Sequence, residues 1–165
     1  MHHFIIIRGP SGSGKSTLAR GIQLNLERKT AIFCPDYFYW DVCGGEDTNS
    51  FIVYESLYRL SDLYLSQQYH VILEGILSSR EEEGALRLER FLEMAKTHNI
   101  IPKMFYLNLP LAMALKRNQK RELRLSQETT TAHWEKSQGS RHPAEREIDA
   151  RKSTDEVLTS ILELL

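Results

Sequence analysis

Residues Phe4–Ala19, FIIIRGPSGSGKSTLA, decide the fold of this chain. Phe4–Ile7 is an unbroken apolar run of mostly β-branched residues, and with Arg8 it reads as a strand buried on both faces. Gly9–Thr17 follows as GPSGSGKST, with glycines at positions 9, 12 and 14. Glycine reaches backbone angles that a side chain forbids, so successive N–H groups of such a loop can curl around one anion. Lys15 then opens a helix that the sequence predicts to run to Arg28. The start of a helix adds unpaired N–H groups and a favourable dipole for negative charge.

The spacing of these residues fits G-x-x-x-x-G-K-[ST], and a strand before it with a helix after it is the context that gives the motif meaning. Gly9, Ser11, Gly12, Ser13, Gly14, Lys15, Ser16 and Thr17 are therefore the expected nucleotide-binding residues. Lys15 is expected at the β- and γ-phosphates and the Ser16 hydroxyl on Mg²⁺, so ATP and Mg²⁺ are the expected cofactors.

Working outward, short apolar runs alternate with longer amphipathic ones. Strands are predicted over Ala31–Cys34, His70–Gly75 and Lys103–Leu109, with a short fifth at Arg146–Asp149. Helices are predicted over Phe51–Gln68, Glu81–His98 and Leu111–Leu125. A last helix carries Leu158, Ile161, Leu162 and Leu165, opened by a Ser153/Glu156 capping box. Gln127–Ala144 is polar and lacks periodicity, so it reads as a loop. This alternation implies the α/β class: a P-loop NTPase fold with about five parallel strands, helices on both faces and a helical lid over roughly 117–146. The 165 residues are expected to form one domain. Ligands of such sheets bind beyond the carboxyl ends of the strands, which puts Gly9–Thr17, Pro35–Asp41, Glu74–Ser79 and Asn108–Pro110 on one rim.

Three groups on that rim, and one on the helix after the fourth strand, carry candidate chemistry. Asp36, after Pro35 at the end of the second strand, is placed to accept the proton of an attacking hydroxyl; the rival reading is a turn-forming aspartate. Glu74 ends the apolar strand HVILEG and is a candidate to orient Mg²⁺ through water or to hold the substrate; the rival is a polar strand end. Tyr37, Phe38, Tyr39 and Trp40 would alternate faces if extended, so that Tyr39 faces an acceptor while others fill the core. Arg117, Arg121 and Arg124 share one helical face; Arg117 and Arg121 are the candidates to stabilise charge on the transferring group, against a solvated basic face.

The small size, the acidic segment after the second strand and the arginines after the fourth resemble the compact P-loop kinases. VILEGILSS and the overall layout most resemble the polynucleotide-kinase, zeta-toxin and antibiotic-phosphotransferase group, and DYFYWD with LEGIL is similar to uridine-type nucleoside kinases. The resemblance implies a kinase that transfers the γ-phosphoryl of ATP to a hydroxyl, with Asp36 as base. No arginine follows Asp36 closely, a departure from the polynucleotide kinases that ranks a nucleoside, nucleotide or other small hydroxyl compound above a nucleic-acid 5′ end. The alternatives are a polynucleotide 5′-hydroxyl kinase and a nucleotide-binding ATPase switch with no acceptor. No N-K-x-D guanine motif is present.

The remaining bulk features set limits. The net charge of −1 gives no general pull toward nucleic acid or membrane. No apolar run approaches the roughly 20 residues of a membrane span, and the N-terminus lacks a signal-peptide layout, so a cytoplasmic location is expected. Cys34 and Cys43 lack metal-ligand spacing and read as two reduced thiols, against the rival of a disulfide between them, and the six histidines form no metal pattern.

Overall fold

The computed structural model describes residues 2–26, 29–45, 48–77, 87–120 and 125–165. In chain order the elements are β1 (Phe4–Arg8), α1 (Lys15–Asn25), β2 (Thr30–Phe33), a short α2 (Pro35–Tyr37) running into a π-helical turn (Phe38–Val42), and α3 (Ser50–Ser66). They continue with β3 (His70–Gly75), α4 (Arg87–Thr97), β4 (Lys103–Asn108), α5 (Leu111–Asn118), α6 (Gln127–Gly139), β5 (Arg146–Asp149) and α7 (Thr154–Leu162). The five strands form one sheet in the order β2-β3-β1-β4-β5, every pair parallel. β1 lies at its centre, with Ile6 opposite Leu73 of β3 and Met104 of β4.

The continuous apolar run of β1 is explained by two cores. Phe4 and Ile6 face a cluster with Leu57 of α3 and Phe91 of α4, while Ile5 and Ile7 face a cluster with Leu18 of α1 and Ile161 of α7. Successive side chains of a strand point to opposite faces, so a central strand covered by helices on both faces must be apolar at every position. The chain passes from β1 across β3 to β2, and later from β3 across β1 to β4. The reversal of direction therefore falls beside β1, where the glycine loop leaves the sheet.

Three expectations need correction. Tyr37–Trp40 is not extended, so its side chains do not alternate faces: Pro35 occupies the first turn of α2 after Cys34, a position proline suits because its fixed φ is helical and its missing N–H has no helical partner there. Gln127–Ala144 is not a loop, because Gln127–Gly139 is α6, capped at Ser126, whose side chain accepts from the Thr129 N–H. The helix expected over Leu111–Leu125 stops as α5 at Asn118. The Asn118 side chain donates to the Leu125 carbonyl (2.7 Å) and accepts from its N–H (3.1 Å), which stitches the end of α5 to the approach of α6.

Candidate active site

The glycine loop joins the end of β1 to α1. Gly9 sits at φ +150°, and a Cβ there would stand 2.8 Å from the Leu107 carbonyl oxygen, so no larger residue fits against β4. Gly14 caps α1 at φ +94° with open space where a Cβ would be and with no side-chain cap on the helix. The first turn of α1 is therefore presented to whatever the loop encloses. The Ser13 Oγ is buried without a hydrogen-bond partner among the described residues, an orphan that a bound phosphate would satisfy. Lys15 reaches back over the loop, its Nζ donating to the Pro10 carbonyl at 3.0 Å.

β3 supplies the second part. Glu74, only 3% exposed, accepts a hydrogen bond from Ser16 Oγ at 2.7 Å. The Cys34 thiol, at the end of β2, also hydrogen-bonds to Glu74; burial first, and then the charge of Glu74, push its pKa up to about 12. The thiol is thus held protonated, and the donors offered here are oxygens. A hard dication prefers oxygen ligands, and Mg²⁺ commonly takes one or two protein oxygens and completes its shell with water and phosphate. Ser16 and Glu74 fit that pattern. No cluster of three or more histidine, cysteine, aspartate or glutamate side chains able to hold a metal occurs among the described residues.

A cavity of about 630 Å³ opens in front of the loop. Ser11, Lys15, Ser16 and Glu74 line its inner end, and Asp36, Tyr39 and Trp40 line the side formed by α2 and the π turn. Asp36 is exposed in the first turn of α2 and lines the cavity. Leu77, which also lines the cavity, is held at φ +50°, a strained conformation for a side chain of its size.

The sequence reading missed a wall that α6 contributes. Thr129, His133 and Lys136 recur at i, i+4 and i+7 and all line the cavity. Burial lowers the pKa of His133; the carboxylate of Asp36 works in the opposite direction, and Lys136 and Lys15 add to the lowering. The other face of α6 is docked on the sheet: Trp134 Nε1 donates to the Leu109 carbonyl at 2.7 Å, and the Ser137 hydroxyl lies 3.0 Å from that of Tyr106. Beyond the helix, the fully buried Arg8 at the end of β1 pairs with Glu145 and donates to the Ser140 carbonyl (2.7 Å) and to Ile76.

Two expected residues stand elsewhere. Arg117 does not line the cavity; its guanidinium donates to the Gly12 carbonyl (3.2 Å) and the Ala150 carbonyl (2.9 Å), behind the glycine loop. Arg121 lies outside the described residues, as does Arg124. Thr17 is exposed in the first turn of α1, away from the cavity lining.

Comparison with known proteins places this architecture. The family model described as an AAA domain matches residues 4–144. Among solved structures, the chain is similar to the tunicamycin resistance protein of Deinococcus radiodurans, with a TM-score of 0.69 and 18% identity over 99% of this chain and 95% of that one. It is similar to a gluconokinase from Sinorhizobium meliloti 1021, with a TM-score of 0.68 and 14% identity over 98% and 90% of the two chains. It is also similar to a chain of the Pnkp1/Rnl/Hen1 RNA repair complex, with a TM-score of 0.68 and 19% identity over 85% of this chain and 46% of that one. The expected P-loop architecture, shared with small kinases, is thereby borne out. A sequence search of curated proteins finds no match.

Proposed function

The chain belongs to this AAA domain family, and from that premise we propose that it is a phosphotransferase moving the γ-phosphoryl of ATP to a hydroxyl of a small molecule. One observation carries the proposal: the carboxylate of Asp36 and the phosphate-loop side chains Lys15 and Ser16 line the same cavity, with about 630 Å³ between the walls. An ATPase with no acceptor needs a place for water, whereas this cavity has room for an organic acceptor next to a carboxylate.

Each residue has a role in that reading. The loop Gly9–Thr17 and Lys15 would hold the phosphates, and the Ser16 hydroxyl and Glu74 would hold Mg²⁺, which neutralises charge on the β- and γ-oxygens when bound. Asp36 orients the acceptor hydroxyl and takes its proton as the phosphoryl group leaves ATP. Tyr39 lines the acceptor side. Arg117, through the Gly12 carbonyl, acts as a positioning residue for the loop. Arg121 keeps its proposed role at the transferring group. His133 and Lys136 wall the cavity on the α6 side, and an acceptor seated against them would displace water, which favours transfer over hydrolysis.

The test is an acceptor screen with γ-labelled ATP across nucleosides, sugars, sugar acids and 5′-hydroxyl oligonucleotides. The proposal predicts label on an organic small molecule. Label on oligonucleotide ends would identify a polynucleotide kinase, and label found only as inorganic phosphate would overturn the kinase reading.

A further inference from the structure

We infer that Trp40 is a stacking platform for the acceptor, so that the compound phosphorylated carries a planar unsaturated ring beside its hydroxyl. This deepens the phosphotransferase reading above and rests on it.

The ring is built into place. The π turn Phe38–Val42 closes through the Cys43 N–H on the Phe38 carbonyl at 2.9 Å. Asp36, Tyr39 and Trp40 stand at i, i+3 and i+4, the spacing that brings side chains to one helical face, and all three line the cavity. The turn at Gly45 flanks the indole on one side. Gly45, at φ +109°, donates its N–H to the Tyr39 carbonyl at 2.8 Å. A Cβ on Gly45 would meet Trp40 Cζ3 at 3.3 Å, so the glycine backbone lies close against the ring.

Trp40 is nevertheless 60% exposed. Its indole N–H has no hydrogen-bond partner among the described residues, in contrast to Trp134, whose N–H is bonded and whose ring packs against the core. Phe51 and Ile52 at the start of α3 are exposed as well. A large apolar side chain held in position, uncovered and at the mouth of a cavity is the arrangement that ligand sites use. The electron-rich face of an indole favours a planar or apolar partner in offset stacking. The arrangement does not favour a linear polyol, which has no face to offer it.

The chain has two tryptophans, Trp40 and Trp134, so the response of Trp40 is read as the difference between the wild type and Trp40→Phe. Emission of the wild type and of Trp40→Phe is titrated with uridine and with p-nitrobenzyl alcohol, both planar, and with D-gluconate and glycerol, which are not. The expected result is saturable quenching by a planar probe in the wild type that disappears in Trp40→Phe. For any planar probe that is phosphorylated, Trp40→Ala is expected to raise KM about ten-fold, while Trp40→Phe, which keeps a ring, retains most of the affinity. Quenching by ATP alone, quenching that persists in Trp40→Phe, no quenching by either planar probe, or preferential phosphorylation of gluconate or glycerol would each overturn the platform. Quenching by planar probes with no labelled phosphate on any acceptor would leave the platform standing and remove the kinase reading. Phosphorylation of gluconate without quenching would do the reverse.

Discussion

Cys34 and Cys43 have different surroundings and should respond differently to one reagent. Cys34 is half-buried, bonded to Glu74 and held protonated up to about 12, whereas Cys43 is exposed. Thiolates, not thiols, are alkylated. Iodoacetamide at mildly alkaline pH should therefore label Cys43 and leave Cys34 intact, as peptide mass spectrometry would show; equal labelling would contradict the burial of Cys34, and with it the Glu74 contact, that hold the thiol protonated. His133 makes a second prediction. Its pKa is lowered from the ordinary 6.5, mainly by burial, so the unfolded chain takes up this proton at a higher pH than the folded one. Above pH 6.5 His133 contributes no pH dependence; as pH falls through and below 6.5, it subtracts stability. His133→Gln should flatten the loss of melting temperature over that acid range, and an unchanged slope would refute the burial argument. At this scale the glycine loop, Asp36 and Glu74 were legible in the sequence because their residue types sit at motif spacing or at strand ends. Arg117 was legible as a cation but not in its direction, because helical spacing gives a shared face and not what that face meets.

The elements that were read well are those with an apolar period. α7 is an example in part: of the expected stripe Leu158, Ile161, Leu162 and Leu165 only Ile161 is buried, Val157 is buried beside it, and Leu165 lies beyond the helix, but the Ser153–Glu156 box closes in both directions, with Ser153 N–H on Glu156 Oε2 (3.0 Å) and Glu156 N–H on Ser153 Oγ (3.3 Å). Ser153→Ala should cost about 1 kcal/mol, seen as a fall in Tm of about 2–4 °C; no change would mean that the cap is not formed in solution. α6 escaped the reading for a physical reason. Its only apolar residues are Ala132 and Trp134, and it docks through hydroxyls and an indole N–H, which leave no hydrophobic period. The signal that was available was Ser126, a good N-cap before a run with no proline. The expectation for Tyr37–Trp40 covers only the extended case, in which faces alternate, while Pro35, a residue suited to a first helical turn, points to the helix that forms.

Across the whole molecule, the sheet sets the distances and one buried ion pair joins its centre to the segment after α6. The side chains of Arg8 and Glu145 are each only 1% exposed, and Glu145 also accepts from the His142 N–H at 2.9 Å. Removing one partner of such a pair strands the other charge in a low-dielectric site. Glu145→Gln should cost about 3–5 kcal/mol in chemical denaturation, and a loss within error of zero would mean that water reaches Arg8. The pairing was not legible beforehand, because residues so far apart in sequence meet only once strand order is known, whereas the alternation of strands and helices was enough to give the parallel sheet. No helix among the described residues is long and apolar enough to cross a membrane. The same sheet brings the loop after β1 and the segment after β2 to one cavity, and the proposed chemistry depends on that juxtaposition. The most direct test is label transfer from γ-labelled ATP by Asp36→Asn and the wild type, with ATP affinity measured alongside. The account predicts that acceptor phosphorylation falls by about 10²–10⁴-fold while ATP binds as tightly as before; wild-type rates of acceptor phosphorylation in Asp36→Asn would contradict it.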